Sequence, residues 1–178
     1  DGKVIVCSNQ WRSLWIDIEV TKDIAPGNYE IELRLKKEGD VVTSAKQRLT
    51  VIGVELPKQK IMHTEWMHAD CLADYYHVDV FSEEHWKILE NYFKEYVKRG
   101  CNMMLTPLFT SPLDTAVGLE RTTTQLIKVE VVKGEYRFEF SELKRWIDLC
   151  KKCGIEYYEM SHLFSQWGAK YAPKLWQK

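Results

Sequence analysis

The chain has 178 residues, of which 45% are apolar, enough for one packed domain or two small ones. Its 25 basic and 26 acidic residues are interspersed and give a formal net charge of −1, so the chain lacks the basic patch that binds a phosphate backbone, and we expect no nucleic-acid partner. No apolar run approaches the roughly 18 residues that span a bilayer, and we expect no membrane partner.

Residues 1–56 have the pattern of antiparallel β structure. Apolar and polar residues alternate over residues 14–20 and 29–35, on either side of an Ala-Pro-Gly-Asn turn at Ala25. A Lys-Glu-Gly-Asp turn at Lys37 precedes a further apolar segment. A complete β-sandwich needs about seven strands and roughly 100 residues. We therefore predict the C-terminal part of an antiparallel β-sandwich, which ends near Pro57.

Residues 57–178 alternate between strand and helix patterns. We predict strands over residues 61–65, 101–106 and 155–160. Two amphipathic helices separate them, opened by Ser82 and Ser141 as N-caps and closed by Gly100 and Gly154. The order β, α, β, α, β is typical of a parallel sheet with crossover helices. The fold class we predict is α/β, a partial (β/α)8 barrel of which the chain holds the first three strands.

Between Pro107 and the second helix the sequence inserts two short alternating segments around Lys133-Gly134. This pattern predicts a β-hairpin. Inserted loops on the carboxyl face of a barrel can shape a substrate cleft or serve only as padding.

The five cysteines are an odd number and do not describe a disulfide framework, which favours a soluble, cytoplasmic chain over a disulfide-rich secreted one. Cys150 and Cys153 have the spacing of a redox pair. They lie at the carboxyl end of the second predicted helix, where the helix dipole disfavours a thiolate, and we interpret them as part of a buried helix face.

In parallel α/β folds, catalytic and binding residues lie at the carboxyl ends of the strands. We expect Trp66, His68 and Asp70 to lie there after the first strand, Thr106 after the second, and Glu159 and His162 after the third. Trp167 follows on the next loop. Three of these residues have a structural alternative: Asp70 as a loop cap, Glu159 in a buried pair with His162, and Trp167 in packing.

A metal site is a further alternative, because His63, Glu65, His68 and Asp70 have the side chains of metal ligands. Alternation places His63 and Glu65 on one face of a strand, and a third ligand must come from the following loop. Strand histidines are more often satisfied core residues, and we predict neither a metal nor a cofactor.

Three segments together resemble a known family. The passage Gly134-Glu-Tyr-Arg-Phe-Glu-Phe leads into a helix and then Gly154-Ile, as in many barrel glycosidases. Thr64-Glu-Trp-Met-His-Ala-Asp-Cys-Leu-Ala and Ser161-His-Leu-Phe-Ser-Gln-Trp-Gly narrow the match. The sequence is similar to the catalytic domain of glycoside hydrolase family 123 and its uncharacterised bacterial relatives, from about Leu56 onward.

The resemblance implies hydrolysis of a β-linked N-acetylhexosamine glycan by substrate assistance, in which the acetamido oxygen of the sugar attacks the anomeric carbon. It also implies a consecutive Asp-Glu pair on a later barrel strand. This sequence contains no Asp-Glu dipeptide. We therefore expect a fragment of a glycoside hydrolase that is inactive by itself. We expect seven of its side chains to contact the substrate: Trp66, His68, Asp70, Thr106, Glu159, His162 and Trp167. The alternative is a noncatalytic carbohydrate-binding or structural module.

Overall fold

The structure is a computed structural model that describes residues 3–58, 60–110, 113, 115–117, 119–164, 168–173 and 175. The chain divides into two compact units, Asp1–Pro57 and Lys58–Lys178.

The first unit contains a long antiparallel hairpin of strands β1 (Gly27–Lys37) and β2 (Asp40–Val51). The register joins Gly27 to Val51 at one end and Lys37 to Asp40 at the other, with an irregularity after Leu35. Its turn has positive φ at Glu38 (52°) and Gly39 (101°), as the tight turns of twisted hairpins require. The turn predicted here is confirmed.

The alternating segment 14–20 is not a strand. Within the described part of this unit, β1 and β2 are the strands present. Alternation indicates that a segment suits a half-buried sheet position, but a strand forms only where a neighbour takes its backbone hydrogen bonds. The β-sandwich therefore stays a prediction.

The second unit contains three helices and two small sheets. The helices are α1 (Ala69–Tyr76), α2 (Glu83–Lys98) and α3 (Ser141–Cys153). Strands β3 (Met103–Thr106) and β6 (Tyr157–Met160) pair in parallel, Met103 beside Tyr157 and Thr106 beside Met160. Strands β4 (Lys128–Val132) and β5 (Glu135–Glu139) form the predicted hairpin, which is confirmed.

The first predicted strand, residues 61–65, is not a strand in the structure. The segment does run beside β3, because the His63 carbonyl accepts from the amides of Asn102 (3.0 Å) and Met103 (3.1 Å). Further along, the Tyr96 hydroxyl accepts from the Glu65 amide (2.9 Å) and donates to the Met103 carbonyl (2.7 Å). These two backbone groups therefore do not bond to each other as they would in a parallel ladder. The partial barrel stays a prediction.

Both predicted helices are present. Ser82 caps α2 by accepting from the His85 amide (3.2 Å), and Phe81 before the cap stacks on Trp86 (5.2 Å) as a hydrophobic staple. The predicted cap of α3 is wrong: Phe140 holds the N-cap position, and Ser141 is the first helical residue. The Glu139 side chain accepts the Ser141 amide (2.5 Å) in place of a serine cap, because the preceding strand ends beside it.

Helix α1 was not predicted from the sequence. Its buried residues Ala69, Leu72 and Ala73 have helical spacing, so the signal was present but only two turns long. As a result Asp70, expected on a loop, is the second residue of a helix.

The helices pack around one core, in which Trp146 meets Phe93 edge to face at 5.0 Å. Its buried members are Ala69, Leu72, Trp86, Leu89, Phe93, Met104, Leu126, Trp146, Cys150 and Ile155. Met104 of β3 belongs to this core, and Tyr158 of β6 packs against it. Because side chains alternate along a strand, Leu105 and Glu159 face the opposite side of the sheet. None of the helices in the described part of the chain is long and apolar enough to cross a membrane.

Candidate functional site

The Trp66 indole, in the segment before α1, contacts residues at the carboxyl end of β6. The Trp66 Nε1 donates to the Glu159 Oε2 at 3.0 Å, and its ring meets the His162 ring edge to face at 5.2 Å. We call Trp66, Glu159 and His162 the indole site. The structure thus brings Trp66, Glu159 and His162 together, although residues 61–65 before Trp66 do not form the predicted strand.

The indole site faces solvent, and its three side chains hold one another through the contacts just described. Trp66 is 41% exposed, His162 is exposed and Glu159 is half-buried. An indole offers a flat apolar face, and the Glu159 carboxylate has capacity to accept beyond the bond from Trp66. Such a group can hold a ligand that has both an apolar face and polar donors.

A half-buried tyrosine fixes the backbone just before Trp66. The Tyr96 hydroxyl from α2 accepts from the Glu65 amide (2.9 Å) and lies within donating distance of the carbonyls of Met103 (2.7 Å) and Glu65 (3.0 Å). Burial raises the pKa of Tyr96, so the hydroxyl keeps its proton. The role of Tyr96 was not predicted from the sequence, because a tyrosine on an apolar helix face carries no sign of its distant partners.

Asp70 forms a buried ion pair with Arg121. The Arg121 Nε and Nη2 donate to the two Asp70 carboxylate oxygens at 2.8 and 3.0 Å, and the two side chains are 8% and 6% exposed. Arg121 Nη1 also donates to the Leu113 carbonyl (2.8 Å). Burial disfavours the charged guanidinium, but the hydrogen bonds and charge of Asp70 outweigh it and raise the pKa of Arg121.

This pair ties the segment after β3 to the first turn of α1. Asp70 lies in that first turn, where a carboxylate complements the positive end of the helix dipole. Arg121 was missed in the sequence, since nothing near it in the chain indicates a buried partner. The pair gives Asp70 a structural role, and contact with a substrate stays a prediction.

A small cavity adjoins this pair. His68, Leu105, Thr110 and Ser161 line it together with Asp70 and Arg121, and its volume is about 20 Å³. That is close to the space one water needs and far below the several hundred Å³ of a typical ligand pocket. The cavity as it stands does not admit a sugar.

Thr106 lies at the expected end of β3 but is fully buried. Its hydroxyl donates to the Met104 carbonyl (3.2 Å), and its own carbonyl accepts from the Ser161 amide (2.9 Å). Thr106 therefore joins the two strand ends from inside the protein. Trp167 lies outside the described residues.

His85 at the start of α2 is buried and held in one tautomer. Its Nδ1 accepts from the Phe81 amide (2.9 Å), so the proton is on Nε2, which donates to the Ala69 carbonyl (3.0 Å). Burial lowers the pKa of His85, partly offset by that carbonyl and by the charge of Asp70. His85 joins α1 to α2 as a neutral side chain.

The geometry favours neither the alternative metal site nor a redox role for Cys150 and Cys153. The Glu65 carboxylate lies 3.2 Å from His63 while Asp70 pairs with Arg121, and no group of three or more His, Cys, Asp or Glu suited to a metal occurs among the described residues. Burial raises the pKa of both Cys150 and Cys153, which disfavours the thiolate that redox chemistry needs.

Comparison with known proteins identifies the family. The model of the glycoside hydrolase 123 catalytic domain matches residues 66–178, more than half of the chain, and the chain therefore belongs to this family. The resemblance inferred from the sequence is confirmed. A search of the curated proteins found no match.

One solved structure with a similar fold is a family 123 glycoside hydrolase from Clostridium perfringens, whose description concerns glycolipid glycan hydrolysis. It superposes with a TM-score of 0.59 and 20% sequence identity over 84% of this chain. The chain spans 29% of that protein's length. At this identity the likeness concerns the fold.

Proposed function

We propose that this chain supplies saccharide contacts to a glycoside hydrolase that acts on β-linked N-acetylhexosamine glycans by substrate assistance. Family membership supports a carbohydrate substrate. The observation that carries the proposal is the indole site, where Trp66 is oriented by Glu159 and His162 at the carboxyl end of β6. In this proposal the indole covers the apolar face of a sugar ring, and Glu159 accepts a hydroxyl or the acetamide N–H.

The chemical step requires one group to steady the acetamido oxygen and an acid to protonate the leaving oxygen. The resemblance assigns both to a consecutive Asp-Glu pair, which the 178 residues do not contain. Asp70 cannot easily serve instead, because both of its oxygens bind Arg121. Glu159 alone provides one carboxylate where two are needed. We therefore expect this chain to bind the sugar without hydrolysing it.

The binding test follows the Trp66 indole N–H by NMR during titration with methyl β-N-acetylgalactosaminide, and with methyl β-galactoside for comparison. We expect saturable shifts of the Trp66 signal and tighter binding of the acetamido sugar. Glu159→Gln should weaken sugar binding about fivefold or more, because the charged carboxylate acceptor is replaced by a neutral amide oxygen, which forms a weaker hydrogen bond.

The first unit offers a matched control. Trp15 Nε1 donates to Asp17 Oδ1 at 3.0 Å, the same bond to a carboxylate, and Trp15 is 90% exposed. Asp17→Asn should leave the titration unchanged. An unshifted Trp66 signal, or equal effects of Asp17→Asn and Glu159→Gln, would contradict the assignment.

The catalytic test is turnover of a chromogenic β-N-acetylgalactosaminide by the purified chain. We expect none above the buffer rate. Turnover that disappears in Glu159→Gln would show that Glu159 takes part in the chemistry and would contradict the proposal.

A further inference from the structure

Three tyrosines form an exposed cluster between the end of α1 and the middle of α2. The Tyr76 and Tyr92 hydroxyls are 3.0 Å apart, and the Tyr75 ring meets the Tyr76 ring edge to face at 5.0 Å. Tyr75 is 75% exposed, Tyr76 43% and Tyr92 38%. We call these residues the tyrosine cluster. It shares no residue with the indole site.

The cluster is neutral. The hydrogen bond with Tyr76 raises the pKa of Tyr92, so the Tyr92 phenol keeps its proton at neutral pH. The surface thus combines ring faces with hydroxyls that can donate and accept. A neutral ligand with C–H faces and hydroxyl groups complements such a surface.

The size of the cluster also limits what it can bind. Aromatic side chains present about 150 to 250 Å² each, so the exposed fractions here amount to roughly 300 Å². A stable protein interface needs about 800 Å² per partner. The cluster is therefore too small to hold a second copy of the chain by itself, but it is large enough to cover one or two sugar rings.

We propose that the tyrosine cluster is a second saccharide-binding surface, which holds a neutral oligosaccharide by stacking and hydroxyl contacts. It extends the carbohydrate function proposed above without depending on the indole site. Since stacking on rings does not require an acetamido group, the cluster should bind β-linked oligosaccharides with or without one.

The experiment titrates the whole chain with cellotetraose, which lacks acetamido groups, and with chitotetraose, and follows tyrosine ring signals by NMR. Tyr75→Ala should weaken cellotetraose binding by about tenfold, the effect of losing one well-stacked ring. Tyr92→Phe keeps the ring, removes the hydroxyl pair with Tyr76, and should weaken binding about threefold.

The hairpin supplies a matched control. Tyr136 on β5 is 62% exposed, similar to Tyr75, and lies outside the cluster. Tyr136→Ala should leave cellotetraose binding unchanged, and circular dichroism should show that all variants remain folded. Glu159→Gln should also leave this binding unchanged, which separates failure at the indole site from failure at the cluster.

Three results would overturn the proposal. These are an absence of shifts in the tyrosine signals with either sugar, equal weakening by Tyr75→Ala and Tyr136→Ala, or concentration-dependent self-association in sedimentation that Tyr75→Ala abolishes. The last result would assign the cluster to contacts between copies of the chain.

Discussion

The buried pair of Asp70 and Arg121 should contribute strongly to the stability of the second unit. Each side chain is less than a tenth exposed, and two hydrogen bonds of 2.8 and 3.0 Å join them. Asp70→Leu leaves a buried guanidinium with the Leu113 carbonyl as its remaining oxygen partner. Loss of one partner from a buried pair typically costs about 3 to 5 kcal/mol, and we expect this cost for Asp70→Leu.

The reverse change should cost somewhat less. Arg121→Met strands the Asp70 carboxylate, but the first turn of α1 continues to stabilise it through the helix dipole. We expect about 3 kcal/mol. The double variant Asp70→Leu with Arg121→Met buries no charge and should be within about 1 to 2 kcal/mol of the original chain, because apolar residues often replace buried ion pairs at little cost.

The assay is urea denaturation followed through the helical circular dichroism signal, since all described helices lie in the second unit. The double variant should recover at least about 2 kcal/mol relative to the sum of the two single changes. The matched surface control is Asp148→Leu, since Asp148 pairs with Lys144 in side chains that are 56% and 78% exposed. Its denaturation midpoint should not move. Strictly additive single changes, or a cost under about 1 kcal/mol for each, would refute the reasoning.

Three further predictions concern His85, Tyr96 and Glu90. The pKa of His85 is lowered from 6.5 in the folded chain, so His85 is protonated first in the unfolded chain as the pH falls. The free energy of unfolding should therefore fall below pH 6.5, by up to about 1.4 kcal/mol per pH unit. Urea denaturation at a series of pH values measures this slope. Tyr96→Phe should cost about 1 to 3 kcal/mol in the same assay and shift the Trp66 indole signal, because the Glu65 amide loses its partner. Hydrogen bonds from Lys152 and Lys94 lower the pKa of Glu90 to about 2, and an NMR titration of its carboxyl carbon should give that value.

Each of these predictions has its own control. A His85→Gln variant should lose the slope below pH 6.5, and a slope that persists would assign it to other groups. For Tyr96, the comparison is Tyr158→Phe, whose hydroxyl makes one bond at 3.5 Å and should matter less. For Glu90, Lys152→Met should raise the pKa toward 4.5, and an unchanged value would show that Lys152 does not set it.

The sequence predicted the local elements of the second unit well. Helices α2 and α3 and the β4 and β5 hairpin were predicted because periodicity, terminal glycines and turn residues are encoded within a few neighbouring positions. The family was also recognisable, from segments that the family model covers. The predicted Ser141 cap was wrong by one residue, which is the usual uncertainty of helix ends.

Long-range partners decided the rest of the candidate site. The Trp66 and Glu159 contact spans 93 positions, and the Asp70 and Arg121 contact spans 51, so no local pattern connects the partners. Position at a strand end predicted that Trp66, Glu159 and His162 would meet. It could not predict that Thr106 would be fully buried or that Asp70 would pair with Arg121.

By itself, then, the sequence determined the family, helices α2 and α3 and the two hairpins, because each depends on short-range patterns or on recognisable segments. Tertiary structure alone decided that residues 61–65 run beside β3 without becoming a strand, that Asp70 pairs with Arg121, and that the Tyr96 hydroxyl holds the Glu65 amide. The physical reason is the same in each case: a polar group at a packed contact needs a hydrogen-bond partner, and which partner it finds depends on how the elements pack.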